Sequence, residues 1–296
     1  MKTLDAKSIS ARELYANLTG AVSPRPIALV SSVDAKGVVN LAPFSFFNLF
    51  SANPPTVIFS CVDSMRDGSS KDTLYNAIET KEVVINIVNY DMVQQTSLAS
   101  TAYPKGVNEF TKAGFTPLES LEVKAPRVAE SPIQLECKVE EVIKLGKEKG
   151  AGNLVVCRVL KMHINKEVLD ENEVIDPYKL DLVSRLGGNY YGRSREGLFE
   201  VTKPISNLGI GIDALPEDIR SSTILTGNDL GKLGNIEQLP ELIVVEAYWT
   251  ENKEIQDLLN KNDLDGLHLH AQGLLQDGKI EAAWCVLLGT VKEIIK

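Results

Sequence analysis

Three short runs hold residue types that suit ligand chemistry. The sharpest is SSKDT, Ser69 to Thr73. Lys71 supplies a point charge, and Ser70 and Thr73 supply hydroxyl donors. The run opens a predicted helix, whose first turn adds free N–H groups and a partial positive charge. Together these suit a phosphate monoester. An ordinary Ser/Asp helix cap with a solvated lysine explains the same residues. The second run is APFSFFN, Ala42 to Asn48, where Ser45 and Asn48 flank Phe46 and Phe47. It could line a flat aromatic ligand with a few convergent polar groups, or it could be a core strand rich in phenylalanine. The third is RLGGNYYGR, Arg185 to Arg193. Its glycines let backbone approach a ligand or another subunit closely, and Tyr190 and Tyr191 present aromatic faces with polar tips. A turn with interface tyrosines is the alternative.

These runs need elements to hold them. SARELYAN, Ser10 to Asn17, reads as a helix capped by serine. IALVSSV, VVNLAPF, TVIFSCV and EVVINIV read as strands, bounded by turn residues and by Pro54 and Pro55. SSKDTLYNAIETK is a helix with Ser70 or Asp72 as its cap and Leu74, Ala77 and Ile78 as its apolar stripe. The stretch from Gln94 to Ser120 reads as helix, loop, helix, with YPKGVNEF, Tyr103 to Phe110, as a loop before the second helix. Two long strands follow, joined by the glycine-rich tip KEKGAG. Many strands with few helices between them favour a closed antiparallel barrel over a doubly wound sheet. Past Gly192 the chain becomes loop-rich, with capped turns at PEDI and TGNDL. From Glu241 to Lys296 it takes on helical spacing.

Composition narrows the classes. The chain has 296 residues, 44% of them hydrophobic, and a formal net charge of −9. That balance argues against nucleic acid as the main partner. The N-terminus has no apolar signal-peptide core, and no apolar run is long enough to span a bilayer, so the expected location is cytoplasmic and off the membrane. Cys61, Cys137, Cys157 and Cys285 form no CxxC and read as small buried hydrophobes. His163, His268 and His270 are the only histidines, and no metal site is expected. No GxGxxG follows a strand, and no Walker loop, GxSxG or HExxH occurs.

PRPIALVSS, NLAPFSFFN, the KDT of SSKDTLYNAI, YPKGVNEF, APRVAESPIQLEC and RLGGNYY occur in one order over residues 20 to 195. In that order they resemble the flavin-reductase-like family of FMN-binding split barrels, its flavoredoxin-type branch most of all. The resemblance implies an antiparallel split β-barrel over residues 1–195, mainly β with α. It leaves 196–296 as a mostly helical extension, expected to pack on the barrel. It implies a homodimer with FMN at the interface, and an FMN-dependent oxidoreductase moving electrons between a small-molecule donor, NAD(P)H among them, and an acceptor. The implied cofactor-binding residues are Ser45, Phe46, Phe47, Asn48, Ser60, Cys61, Val62, Ser70, Lys71, Asp72, Thr73, Tyr190 and Tyr191. No catalytic acid or base is assigned. The alternatives are an electron carrier without its own NAD(P)H turnover, a pyridoxamine-phosphate-oxidase-like enzyme, and a binding module that has lost its flavin.

Overall fold

The computed structural model describes residues 1–201 and 208–291. The chain divides into two units, Met1–Phe199 and Glu200–Lys296. In the first, helix α1 (Ala11–Ala21) is capped by Ser10, whose Oγ accepts from Glu13 N at 3.1 Å. The strands are β1 (Arg25–Pro26), β2 (Ala28–Val33), β3 (Val39–Phe44), β4 (Phe47–Ala52), β5 (Pro55–Val62), β6 (Glu82–Ile87), β7 (Pro117–Leu118), β8 (Arg127–Val128), β9 (Ile133–Lys144), β10 (Gly152–Ile164), β11 (Val183–Arg185) and β12 (Tyr191–Arg193). Helices α2 (Asp72–Thr80), α3 (Val93–Leu98), α4 (Glu109–Ala113) and α5 (Pro177–Leu180) lie between them.

Seven strands form one antiparallel sheet in the order β3-β2-β6-β9-β10-β5-β4. Its two edge strands, β3 and β4, follow one another in the chain, and the Phe44 and Phe59 rings meet at 5.1 Å. The sheet curls around a core of Val30, Phe44, Phe59, Ile85, Cys137 and Val155. All six residues of β2 are buried. Ala28 and Val30 face that core, while Leu29 packs with Met92, Phe110 and Phe115 on the other side. Burial on both faces is why this strand reads as a near-continuous run rather than an alternation. β1, β11 and β12 form a separate three-stranded sheet.

Two expectations for α2 change. Its N-cap is Lys71, and no side chain makes a cap hydrogen bond among the described residues. Its buried face runs through Thr73, Leu74, Asn76 and Ala77, whereas Ile78 is exposed. Strand β4 overlaps the possible core strand at APFSFFN only at Phe47 and Asn48, and runs on to Ala52 at the edge of the sheet. Its residues lie at the sheet edge with Leu49 and Phe50 exposed, so no alternation marks it.

The second unit is helical: α6 (Glu217–Arg220), α7 (Gly227–Leu233), α8 (Leu242–Glu251), α9 (Lys253–Lys261), α10 (Leu264–Gln276) and α11 (Ile280–Leu288). It has its own core, with Ile219, Leu233, Val245, Ile255, Leu267 and Trp284 at its centre. Thr226 and Asp229 close a reciprocal capping box on α7. The expected helical pattern up to Lys296 includes residues 292–296, which lie outside the described residues.

Candidate functional site

The period-two rule of a strand organises the site. On β5, Val57, Phe59 and Cys61 belong to the barrel core. Ile58, Ser60 and Val62 therefore share the opposite face. Ile58 and Ser60 line a cavity of about 340 Å³ together with Ser45, Phe46, Phe47 and Asn48. Val62 lines a second cavity of about 330 Å³ together with Ser64, Ser70, Lys71 and Asp72. One strand face thus runs from an aromatic slot to a polar basin, over roughly 13 Å from Ile58 to Val62 at about 3.4 Å per residue.

The polar basin is built by the loop from Asp63 to Lys71. Asp63 N donates to Ala151 O at 2.9 Å, and Asn153 Nδ2 donates to Cys61 O at 2.9 Å and to Asp63 Oδ1 at 3.0 Å. Ser70 Oγ also donates to Asp63 Oδ1, which commits its single proton. Asp67 accepts from both N and Oγ of Ser69, and these bonds, with those from Ser64 and Arg66, hold its carboxyl well below the usual range. Lys71 is exposed and has no carboxylate within ion-pair distance among the described residues. With no side-chain cap on α2, the N–H groups of Asp72 and Thr73 are available beside that ammonium, while Leu74 N donates to Lys71 O at 2.9 Å.

Thr73 is placed differently from the other members of SSKDT. It is fully buried, its Oγ1 accepts from Asn40 Nδ2 at 2.8 Å, and Asn40 rather than Thr73 lines the basin. Sequence reasoning missed Asn40, Ser64, Arg66 and Ser69, which the fold gathers there. Tyr103 and Glu109 of YPKGVNEF also reach the basin, and Glu109 Oε2 ties that loop to the barrel by accepting from Leu41 N at 3.1 Å.

At the aromatic end, Phe46 packs against Tyr15 of α1 with ring centroids 6.2 Å apart, and the Arg25 guanidinium lies 5.7 Å from its centroid. Ser60 N donates to Phe46 O at 2.8 Å, which fixes the turn between β3 and β4. Asn48 Oδ1 accepts from Leu49 N at 2.8 Å. Cys61 differs from its neighbours. Its thiol is buried in the core, burial pushes its pKa up to about 12, and it has no share in either cavity. It is therefore a packing thiol and not a nucleophile.

The structure brings Tyr191, but not Tyr190, toward Ser45. Tyr191 and Ser45 line one cavity of about 550 Å³. Tyr190 is 75% exposed at the tip of the β11–β12 hairpin and lines none of the cavities described. Among the described residues no cluster of His, Cys, Asp and Glu could hold a metal ion. His268 and His270 lie on α10, where spacing two sends them to different faces: His268 is buried against Ser222, and His270 sits 3.7 Å from Glu254. No helix of the described residues is long and apolar enough to cross a membrane.

Comparison with known proteins places this architecture. Residues 20–188 match the model of the flavin reductase like domain. An uncharacterised protein of Halalkalibacterium halodurans is 40% identical over 203 residues, covering 68% of this chain and 96% of the relative. The crystal structure of nitrilotriacetate monooxygenase component B from Bacillus cereus is 33% identical with a TM-score of 0.63, covering 69% of this chain and 98% of that one. A Shewanella frigidimarina structure with a split barrel domain shares the fold, at 21% identity and a TM-score of 0.59, covering 70% of this chain and all (100%) of that one. The first unit is a split barrel, and the chain belongs to the flavin reductase like domain family.

Proposed function

We propose that the chain is an FMN-dependent oxidoreductase of the flavin reductase type. The observation that carries this reading is the outward face of β5, which joins an unpaired lysine at an uncapped helix start to a slot lined by Phe46 and Phe47. A phosphate monoester at one end and a flat ring system at the other fit that strip. Lys71 and the first-turn N–H groups of α2 hold the phosphate, and Ser64, Ser69 and Asn40 surround it. Ser70 acts as an acceptor beside Asp63, and Asp72 and Glu109 are the acids on the rim, which limits the charge the basin can take. Ser45, Phe46, Phe47, Asn48, Ser60 and Val62 hold the ring and the chain that links it to the phosphate.

FMN supplies the hydride and electron chemistry, and the residues named here bind, orient and shield it. Among the cavities of the described residues, the one at Lys71 alone sets a lysine beside a helix start, which favours FMN over FAD. NAD(P)H is the proposed donor, stacking on the open flavin face without a nucleotide-binding domain of its own. The assembly is a homodimer. β4 is an edge strand with Leu49 and Phe50 about 64% and 63% exposed, and an apolar edge of this kind calls for a covering partner. Its cover is a second copy of the chain, which brings Tyr190 and Tyr191 within reach of the ring.

The test is the ligand itself. Purified protein, incubated with FMN and then denatured, should release one FMN per subunit on chromatography. Recovery of FAD, or of no flavin, would sink the reading. Bleaching of the bound flavin by NAD(P)H alone separates a reductase from an electron carrier that needs a protein donor.

A further inference from the structure

Among the described residues, two arginines without a carboxylate at ion-pair distance face one another across a strand pair. Arg25 and Arg185 sit directly opposite one another in the β1–β11 ladder. Like charges across a strand pair are destabilising. Neither has a carboxylate within ion-pair distance among the described residues. Arg25 is 8% exposed and is committed to structure. Its Nη1 donates to Thr19 O and Val22 O at 2.5 and 2.6 Å, and its Nη2 donates to Leu186 O at 3.1 Å.

Arg185 is held but not saturated. Its guanidinium stacks 4.6 Å from the centroid of Tyr191, and Nη1 donates to Tyr190 O at 3.0 Å. The rest of its five-donor fork has no protein partner among the described residues. It lines the cavity of about 550 Å³, a size within the range of small-molecule sites. Thr96 lines the same cavity. It is 2% exposed, and its buried hydroxyl has no hydrogen-bond partner. A buried hydroxyl left unpaired costs free energy unless a ligand or water satisfies it. Ser45, Ser97 and Gln94 complete a polar wall with no acid in it.

We propose that this cavity binds the carboxylate of a small organic substrate, with Arg185 as its charged recognition group and Thr96 as a buried donor. A planar fork with flanking hydroxyls matches a two-oxygen anion. Lys71 and its helix start form a different set of donors, in a different cavity. The identity of the substrate as an electron donor or acceptor rests on the flavin reading above, but the binding of the anion does not.

The experiment titrates the full-length protein by calorimetry with benzoate, benzamide and inorganic phosphate, and separately with FMN. Benzoate should bind saturably, and benzamide at least about tenfold more weakly. Arg185→Gln should weaken benzoate about tenfold or more, and Arg185→Lys, which keeps the charge but loses the fork, should fall between. Thr96→Val should weaken benzoate without lowering the melting temperature, because the hydroxyl makes no internal bond. Equal binding of benzoate and benzamide, or benzoate binding indifferent to both Arg185 variants, would overturn the inference. Phosphate binding as tight as benzoate, and weakened alike by Arg185→Gln, would overturn the carboxylate assignment. A protein that binds benzoate in this manner but takes up no FMN would remove the flavin reading and leave the anion site standing.

Discussion

Lys71→Ala separates phosphate recognition from general shaping of the site. A charge-assisted hydrogen bond contributes about 1.5–3 kcal/mol in favourable surroundings. Lys71 is exposed, so solvent screening brings the expected loss down to about 1–2 kcal/mol, or roughly fivefold to thirtyfold in Kd. The folded state should barely notice. Lys71 caps α2 through its backbone alone, with no side-chain cap bond and no ion pair among the described residues. Titration of wild-type and variant protein with FMN and with riboflavin, followed by flavin fluorescence, reads the difference. FMN affinity should fall by that factor, and riboflavin, which lacks the phosphate, should hold within twofold or so. Raising ionic strength from low to physiological should weaken FMN in the wild type and have little effect in the variant. Equal weakening of FMN and riboflavin would refute the reasoning and make Lys71 a residue that shapes the loop.

Other consequences are equally direct. Phe59 is fully buried between β4 and β10 in the barrel core, so Phe59→Ala should destabilise the first unit by about 3–5 kcal/mol in urea unfolding. Asp181 is held below the usual carboxylate range chiefly by its hydrogen bonds to Arg193, with burial opposing. A depressed folded pKa gives stability that is present above the ordinary value near 4 and is lost as pH falls through the lowered one. Asp181→Asn should therefore lower the melting temperature at pH 7 and flatten its decline below about pH 4. Thr226→Ala removes one side of the α7 capping box and should cost the helical unit about 1 kcal/mol. Phe50→Asp on the exposed edge strand should shift sedimentation from dimer toward monomer, and an unchanged dimer would place the interface elsewhere.

The sequence was most legible where a strand is buried on both faces. β2 and β6 are continuous β-branched and apolar runs, and the structure buries them on both faces, paired side by side within the sheet. It was least legible where position depends on a distant partner. Ser60, Cys61 and Val62 looked like one lining segment, yet the pleat splits them: Ser60 and Val62 turn outward and Cys61 turns into the core. Thr73 looked like a hydroxyl donor to a ligand, but its Oγ1 faces Asn40, which lies 33 positions earlier. Arg25 carries no signal of its own in the sequence, and only the fold shows it held by Leu186 O and set against Arg185. The C-terminal segment was expected to need another surface because a chain so short builds little core. Trp284 answers that expectation locally. It is fully buried, its Nε1 donates to Leu233 O at 3.2 Å, and Trp249 Nε1 donates to Cys285 O at 2.7 Å. Both indoles thus satisfy their one polar group within the helical unit, as buried tryptophans must.

The same logic of satisfaction separates structure from function across the molecule. Glu136 is a fully buried carboxylate, which burial alone would penalise, but it accepts from Leu121 N, Glu122 N and His163 Nε2 and so is kept ionised by its surroundings. Asp229 is buried too, and Thr226 and Gln272 satisfy it. These charges have internal partners and hold the fold. Lys71 has no ion-pair partner, Arg185 has only Tyr190 O and the Tyr191 ring, and the buried hydroxyl of Thr96 has no partner among the described residues; each lies at or within a cavity. A buried hydroxyl left unpaired costs free energy, and that cost is recovered when a ligand supplies the missing partner. The cavity of Arg185 and Thr96 and the slot of Phe46 and Phe47 share Ser45, so under the proposed function that residue is where a flavin ring and a substrate anion would meet.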